Sequence, residues 1–168
     1  MRKALVAAVP VLLLTFMIQI AIVSRMVLLS GNGDIILLVL AAWALQERAR
    51  GAWVWGAVAS LMAGLVSGIP WYIYLVAYLS VVVIARQLIH RIWQAPLLAM
   101  FTVTLIGTME LLLMTYVRQT LFQAPLPFSD VFLQIVLPSV LLNLLMAIPV
   151  HALVKDLANR LYPAEVVA

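Results

Sequence analysis

Glu110 poses the first chemical question of this sequence, because it interrupts the apolar run VTLIGTMELLLMTY at residues 103–116. A carboxylate at bilayer depth costs several kcal/mol unless it is neutralised or paired. Acid–base catalysis would need a second titratable group nearby, but His90 and His151 lie roughly 15 Å or more away along their helices. Ser67 has no histidine at its level to act as a base. Since no metal-ligand spacing occurs either, we expect no catalytic residue, metal or cofactor, and no enzymatic activity.

A cluster of polar residues inside a helical bundle is the alternative, and its expected members are Asp34, Glu110, Ser139 and Asn143. A helical rise of about 1.5 Å per residue places all four near the membrane midplane or slightly outside it. Ser139 and Asn143 share one helix face, and Pro138 frees the carbonyl of Gln134 one turn earlier. We expect Glu110 to bond with Gln134, Ser139 or Asn143. It would then fasten the fifth segment to the sixth, unless it contacts a partner's helix or a ligand.

The composition indicates an integral membrane protein. Of the 168 residues, 67% are hydrophobic and only 10% are charged, and the mean hydropathy is +1.18. A soluble domain of this length could not cover so much apolar surface. The apolar residues form long blocks without period-two alternation, which predicts an all-α bundle and not a barrel. The first block follows two basic residues but lacks a small-x-small cleavage site, so we expect an uncleaved span.

The apolar blocks predict six transmembrane segments in a single integral membrane domain covering residues 1–168. They fall at 4–23, 34–46, 52–69, 71–89, 95–117 and 131–153. Most have the roughly 20 residues that cross a bilayer, but the second would rise only about 20 Å as a helix. We therefore expect a short or broken second segment, preceded by irregular backbone at residues 26–33 that enters the membrane. Asp34 would be the N-cap of this helix.

The positive charges predict the orientation of these segments. With the N-terminus in the cytoplasm, the inner side holds eight basic residues, Arg2, Lys3, Arg48, Arg50, Arg86, Arg91, Lys155 and Arg160. The outer side holds only Arg25 and Arg118. Both termini are therefore expected in the cytoplasm. The net charge of +4 is then a topology signal that also attracts anionic membrane lipids, and no nucleic-acid partner is expected.

Aromatic residues agree with this orientation, because amphipathic rings prefer the headgroup level. The rings predicted at inner boundaries are Trp43, Trp53, Trp55 and Trp93. Those predicted at outer boundaries are Trp71, Tyr72 and Tyr116.

A ridge of small residues runs along the third segment at every fourth position: Ala52, Gly56, Ser60, Gly64 and Gly68. Such a ridge lets another helix approach backbone to backbone. It predicts either tight packing within this chain or a groove for the helix of a partner protein.

Several of these features resemble the bacterial rod-shape-determining protein MreD family. The resemblance covers about residues 30–157, from GNGDIILLVLAAWALQERARG to LPSVLLNLLMAIPVHALVKDL. Its most specific residues are Asp34, the Trp43-Ala44-Leu45 helix end, Ser67-Gly68, Glu110, Pro138-Ser139, Asn143 and Pro149. The family usually has an acidic residue three positions before the Ser-Gly pair, where this chain has Gly64. Any role of that acid in a polar network is missing or replaced here.

The resemblance implies a non-enzymatic scaffold of the cell-wall elongation machinery, which determines rod shape and regulates peptidoglycan synthesis. Its location would be the bacterial inner (cytoplasmic) membrane. The implied direct partner is MreC, a single-span protein with a large outer domain. MreB filaments, the glycosyltransferase RodA and its partner transpeptidase would be reached through MreC, and the chain could form a homo-oligomer within that complex. We expect lipid-embedded surfaces and the outer loops 24–33 and 118–129 to contact MreC.

A second resemblance provides an alternative function. The chain is distantly similar to the substrate-binding membrane subunits of energy-coupling-factor vitamin transporters, which are six-span bundles with an irregular outer first loop over a pocket. Those subunits dock their transporter partners through an A-x-x-x-A patch on the first helix, and Ala4 and Ala8 have this spacing. The predicted outer half offers few polar groups for a vitamin, which favours the scaffold.

Overall fold

The computed structural model describes residues 2–47, 51–89, 95–123 and 126–162, with side chains from residue 9 onward. The described helices are α1 (Arg2–Ala21), α2 (Ile35–Ala44), α3 (Ala52–Val66), α4 (Trp71–Ile89), α5 (Pro96–Phe122), α6 (Phe128–Val131) and α7 (Leu137–Leu161). A π-helical turn, Phe132–Val136, joins α6 to α7. Between α1 and α2 lie a short 3-10 turn, Val23–Arg25, and an antiparallel hairpin of β1 (Val27–Leu28) and β2 (Gly31–Asn32).

Three helical stretches in the described residues are long and apolar enough to cross a membrane: Trp71–Ile89, Pro96–Phe122 and Phe128–Leu161. Three shorter apolar helices accompany them, Val9–Arg25, Ile35–Ala44 and Ala52–Val66. The chain is thus a helical bundle whose longest helices match the length that a bilayer requires.

Two predicted segments are longer in the structure than in the sequence analysis. The fifth continues past residue 117 to Phe122, because residues 118–122 contain no glycine or proline that would stop a helix. The last begins at Phe128 and ends at Leu161, not at 131–153. The predicted loop 118–129 is therefore much shorter, and only residues 123–127 separate the two helices.

The third segment is shorter than predicted. Helix α3 ends at Val66, and the backbone of Ser67 is extended with ψ 146°. The Ser67 hydroxyl accepts a hydrogen bond from the Ile69 amide at 3.1 Å. Pro70 disfavours helical backbone at Ile69, so residues 67–70 form a turn that leads into α4.

Helix α2 is the centre of the bundle. Residues 36–44 are all buried, and α2 packs against α1, α3, α4, α5 and α7. Leu37, Leu38 and Leu40 have 0% of their surface exposed. A helix that is apolar on every side can face lipid or other helices. At ten residues, about 15 Å, α2 is too short to cross a bilayer, and its neighbours enclose it. The short second segment is therefore a core helix.

The ridge of small residues on α3 packs against the chain's own α4. A Cβ added at Gly56 would lie 3.1 Å from Leu79 Cδ2, and one added at Gly64 only 2.5 Å from Trp71 Cα. The Ser60 hydroxyl donates to the Gly56 carbonyl at 2.6 Å and lies 3.3 Å from the Tyr74 carbonyl. These positions are occupied by α4 and offer no groove for a partner's helix.

The two outer members of the predicted ridge differ from its centre. Ala52 is buried at the start of α3. Gly68 lies beyond the end of α3, and a Cβ there would meet no atom within 4 Å. The ridge therefore ends at Gly64, one turn earlier than predicted.

Trp43 and Trp55 are core residues, so the prediction that their rings meet the lipid headgroups is wrong. Both are 0% exposed, and their rings stack with centroids 4.0 Å apart. The prediction failed because α2 is enclosed by other helices. No side of Trp43 faces the lipid, and the Trp55 ring packs against the Trp43 ring. Trp53 and Trp71 are exposed, as expected of boundary residues, while Trp93 lies outside the described residues.

Substitution of the ridge glycines tests this packing. Gly64→Leu is expected to lower the free energy of unfolding by about 1–3 kcal/mol, because its side chain would collide with the Trp71 backbone. Gly68→Leu is the matched control and should leave stability unchanged. Unfolding in mild detergent, followed by circular dichroism, measures both. Equal effects of the two substitutions would contradict the α3–α4 packing.

Candidate functional site

The β1–β2 hairpin is fastened to the π-helical turn that precedes α7. Pro138 has no amide hydrogen, so the carbonyl of Gln134 lacks its usual helical donor. The backbone amide of Ser30 donates to this carbonyl at 3.0 Å. The freed carbonyl was predicted from the position of Pro138, but its partner was not. The sequence analysis assigned it to Glu110, whereas the hairpin occupies it.

A second bond holds β2 against the start of α7. The Ser139 hydroxyl accepts a hydrogen bond from the backbone amide of Asn32 at 3.0 Å. Gly31 permits this approach, since a Cβ there would lie 2.6 Å from the Ser139 backbone nitrogen and 2.8 Å from Pro138 Cβ. At the tip of the hairpin, Leu29 has a positive φ of 55°. The predicted irregular backbone at residues 26–33 is therefore a tight hairpin fitted to α7.

The N-terminus of α2 is capped by Asp34, as the sequence predicts. Asp34 Oδ1 accepts from the Leu37 amide at 3.0 Å, and Oδ2 accepts from the Tyr78 hydroxyl at 2.9 Å. Gln19 on α1 completes the cap: its Oε1 accepts from the Ile35 amide at 2.8 Å, and its Nε2 donates to the Gly33 carbonyl at 2.9 Å. Free amides at a helix start need such acceptors when water cannot reach them.

Asn143 connects this cap to two long helices. Its Oδ1 accepts from the Asp34 backbone amide at 2.8 Å, and its Nδ2 donates to Thr108 Oγ1 on α5 at 2.9 Å. Both side chains are buried. Asp34, Ser139 and Asn143 thus meet around the hairpin and the start of α2, as the predicted polar cluster requires. We call this end of the bundle the hairpin end.

Glu110 does not join the cluster, and its predicted bonding partners are wrong. Its carboxylate accepts a hydrogen bond from the Ser80 hydroxyl on α4. Thr108 and Glu110 are two residues apart, so they lie on different sides of α5. Thr108 faces Asn143 on α7, which turns Glu110 toward α4. Glu110 therefore fastens the fifth segment to the fourth and not to the sixth.

A cavity of about 390 Å³ lies beside the α2 cap, between α1, α3, α4 and α5. Its polar lining includes Gln19, Asp34, Ser67, Tyr74 and Tyr78. The Tyr74 hydroxyl donates to Ser67 Oγ at 2.9 Å, and the two tyrosine rings meet edge to face with centroids 5.5 Å apart. Much of the remaining wall is apolar, with Phe16, Ala63 and Leu111 among its members.

Several residues of this region were missed by the sequence analysis. Gln19, Tyr78, Ser80 and Thr108 all make hydrogen bonds between helices. Gln19 carried a usable signal, since an amide in the middle of the apolar run TFMIQIAI raises the same question as Glu110. The hydroxyl residues carried none, because serine, threonine and tyrosine are common in apolar helices.

Among the described residues, no group of three or more His, Cys, Asp or Glu is placed to hold a metal ion. His151 is buried, and its Nδ1 has no hydrogen-bond partner. His90 lies outside the described residues.

No family model, no curated protein and no solved structure matches this chain. The resemblance to the MreD family therefore stays a prediction that rests on the residues quoted for it.

The hydrogen bond between Glu110 and Ser80 is testable by a double-mutant cycle. Glu110→Gln keeps an acceptor for Ser80 and should be nearly silent. Glu110→Leu is expected to cost only about 1 kcal/mol, because the single hydrogen of the Ser80 hydroxyl can then be donated to the Ala77 carbonyl, 2.8 Å away. The cost should be non-additive with Ser80→Ala and additive with Ser139→Ala when unfolding is measured in detergent. A cost that is additive with Ser80→Ala but non-additive with Ser139→Ala would show instead that Glu110 contacts the sixth segment.

Proposed function

We propose that this chain is a non-enzymatic scaffold of the cell-wall elongation machinery in the bacterial inner membrane, acting in complex with MreC. The observation that supports this most is the role of the motif residues on which the resemblance rests. Asp34, Ser139 and Asn143 bond backbone amides of the hairpin segment and the start of α2. Their polar groups are engaged in building a fixed surface, which is the property a scaffold needs.

The hairpin offers an apolar surface that suits a protein partner. Four consecutive side chains, Met26, Val27, Leu28 and Leu29, are exposed, and Leu29 has 74% of its surface free. Leu121 and Phe122, at the end of α5, are also exposed. Exposed apolar patches of this kind mark interaction sites or membrane contact. We assign this surface to the juxtamembrane part of MreC, through which MreB, RodA and its transpeptidase would be reached.

The proposal includes six membrane crossings with both ends in the cytoplasm and the hairpin end outside. α2 and α3 are too short to span a bilayer as straight helices. The hairpin would extend the path of α2 toward the outer surface, shielded from lipid on one side by α7. Arg25 lies at this end, and Arg160 at the opposite end of the last helix, consistent with the predicted charge distribution.

Co-purification tests whether the chain binds MreC through the hairpin. In mild detergent the unmodified protein should retain MreC, and Leu29→Asn should reduce its recovery about tenfold by placing a polar side chain in the contact. Asparagine tolerates a positive φ, so the hairpin should keep its conformation. Leu161→Asn, at the opposite end of α7, is the matched control. Failure of the unmodified protein to retain MreC would refute the proposal.

The topology has a separate test. A reporter fused after residue 168 should be active only in its cytoplasmic form, and a reporter inserted at residue 29 only in its exported form. A C-terminal reporter found outside would reject the orientation and the partner surface with it.

The alternative function is a substrate-binding subunit of an energy-coupling-factor type transporter. The cavity of about 390 Å³ is the observation that favours it, since small-molecule sites have this size. The side chains of its predicted docking patch, Ala4 and Ala8, lie outside the described part of the chain. The same purification separates the two functions, because a transporter subunit would retain a pair of ATPases and a coupling protein.

A further inference from the structure

Asp34 is the single charged side chain among the described residues that line the cavity. Its two oxygens lie within hydrogen-bond distance of the Leu37 amide and the Tyr78 hydroxyl. The groups that act on it are the Leu37 and Ile36 amides and the Tyr78 hydroxyl, and no lysine or arginine of the described chain is among them. Buried and half-buried charges in proteins are normally balanced by an opposite charge. Here the cap supplies only neutral donors.

The two tyrosine hydroxyls of the cavity are oriented as acceptors toward its interior. The Tyr78 hydroxyl hydrogen is committed to Asp34, and the Tyr74 hydroxyl hydrogen to Ser67. Each phenol oxygen therefore has only lone pairs left for a ligand. A ligand with several N–H donors can bond these oxygens and Asp34, whereas a carboxylate or phosphate would be repelled by the Asp34 carboxylate.

The walls suit a cation that carries an apolar body. Tyr74 and Tyr78 present aromatic rings, which attract ammonium groups by cation–π interaction, and Phe16, Ala63 and Leu111 supply apolar contact. The volume of about 390 Å³ admits a molecule of roughly ten to fifteen non-hydrogen atoms.

We propose that this cavity is a binding site for a small organic amine, with its ammonium group on Asp34 and its apolar part against the rings and α5. The site is independent of the scaffold function: binding of MreC involves the exposed hairpin, and the amine enters between α1, α3, α4 and α5. Loss of one activity therefore leaves the other measurable.

Three probe molecules of similar shape but different charge test whether the cavity prefers a cation. Phenylbutylamine, phenylbutanol and phenylbutyrate are titrated into the purified full-length protein in a nonionic detergent, and binding is measured by calorimetry. The amine should bind at least about tenfold more tightly than the alcohol, and the acid should bind least. Equal affinities of amine and alcohol would overturn the proposal.

One single variant and one pair of variants locate the site. Asp34→Asn keeps the N-cap acceptor for α2 but removes the charge, so the advantage of the amine over the alcohol should fall to about twofold or less. Thr115→Phe, which fills the cavity, should abolish binding of both probes, while Leu113→Phe, an exposed neighbour on α5, should change neither. Amine binding that persists in Thr115→Phe would place the ligand elsewhere and refute the assignment. If Asp34→Asn does not fold, the ranking of the three probes and the phenylalanine pair still decide it.

Discussion

The structure depends on satisfying the first amides of α2. A helix that is buried on every side begins among other helices, where water cannot serve as acceptor, and unpaired amides there are costly. Asp34 and Gln19 accept from the amides of Leu37 and Ile35, and Asn143 accepts from that of Asp34. Asp34 precedes α2, Gln19 lies on α1 and Asn143 lies on α7. These hydrogen bonds therefore fix the positions of α1, α2 and α7 relative to one another. Tyr78 adds α4 by donating to Asp34.

The same arrangement explains why the hairpin end has both an exposed apolar surface and a cavity with a carboxyl group in its wall. Fitting the hairpin against Pro138 and Ser139 consumes its polar backbone groups on one side and leaves the side chains of Met26 to Leu29 exposed on the other. Capping α2 with a carboxylate places a negative charge beside the space between α1, α3, α4 and α5. The exposed hairpin surface and the proposed amine site are thus two results of enclosing one short helix.

Sequence reasoning predicted the local features of this region well. The N-cap at Asp34, the shared face of Ser139 and Asn143, and the carbonyl freed by Pro138 follow from rules that act within one or two helical turns. Depth in the membrane was the only long-range coordinate available, and it does not give the rotation of a helix or the order of its neighbours. Glu110 was therefore paired with the wrong helix, and the rings of Trp43 and Trp55 were expected to face headgroups although they stack in the core.

The bonds from the hairpin segment to α7 also impose an order on biosynthesis. Asn32 and Asp34 bond Ser139 and Asn143, which are 107 and 109 residues further along the chain. When α2 leaves the ribosome, the groups that complete its cap have not been translated. Contacts of such separation form late. The cap of α2 therefore stays incomplete until α7 has been translated, and a chain truncated before α7 would lack the side chains that hold the hairpin.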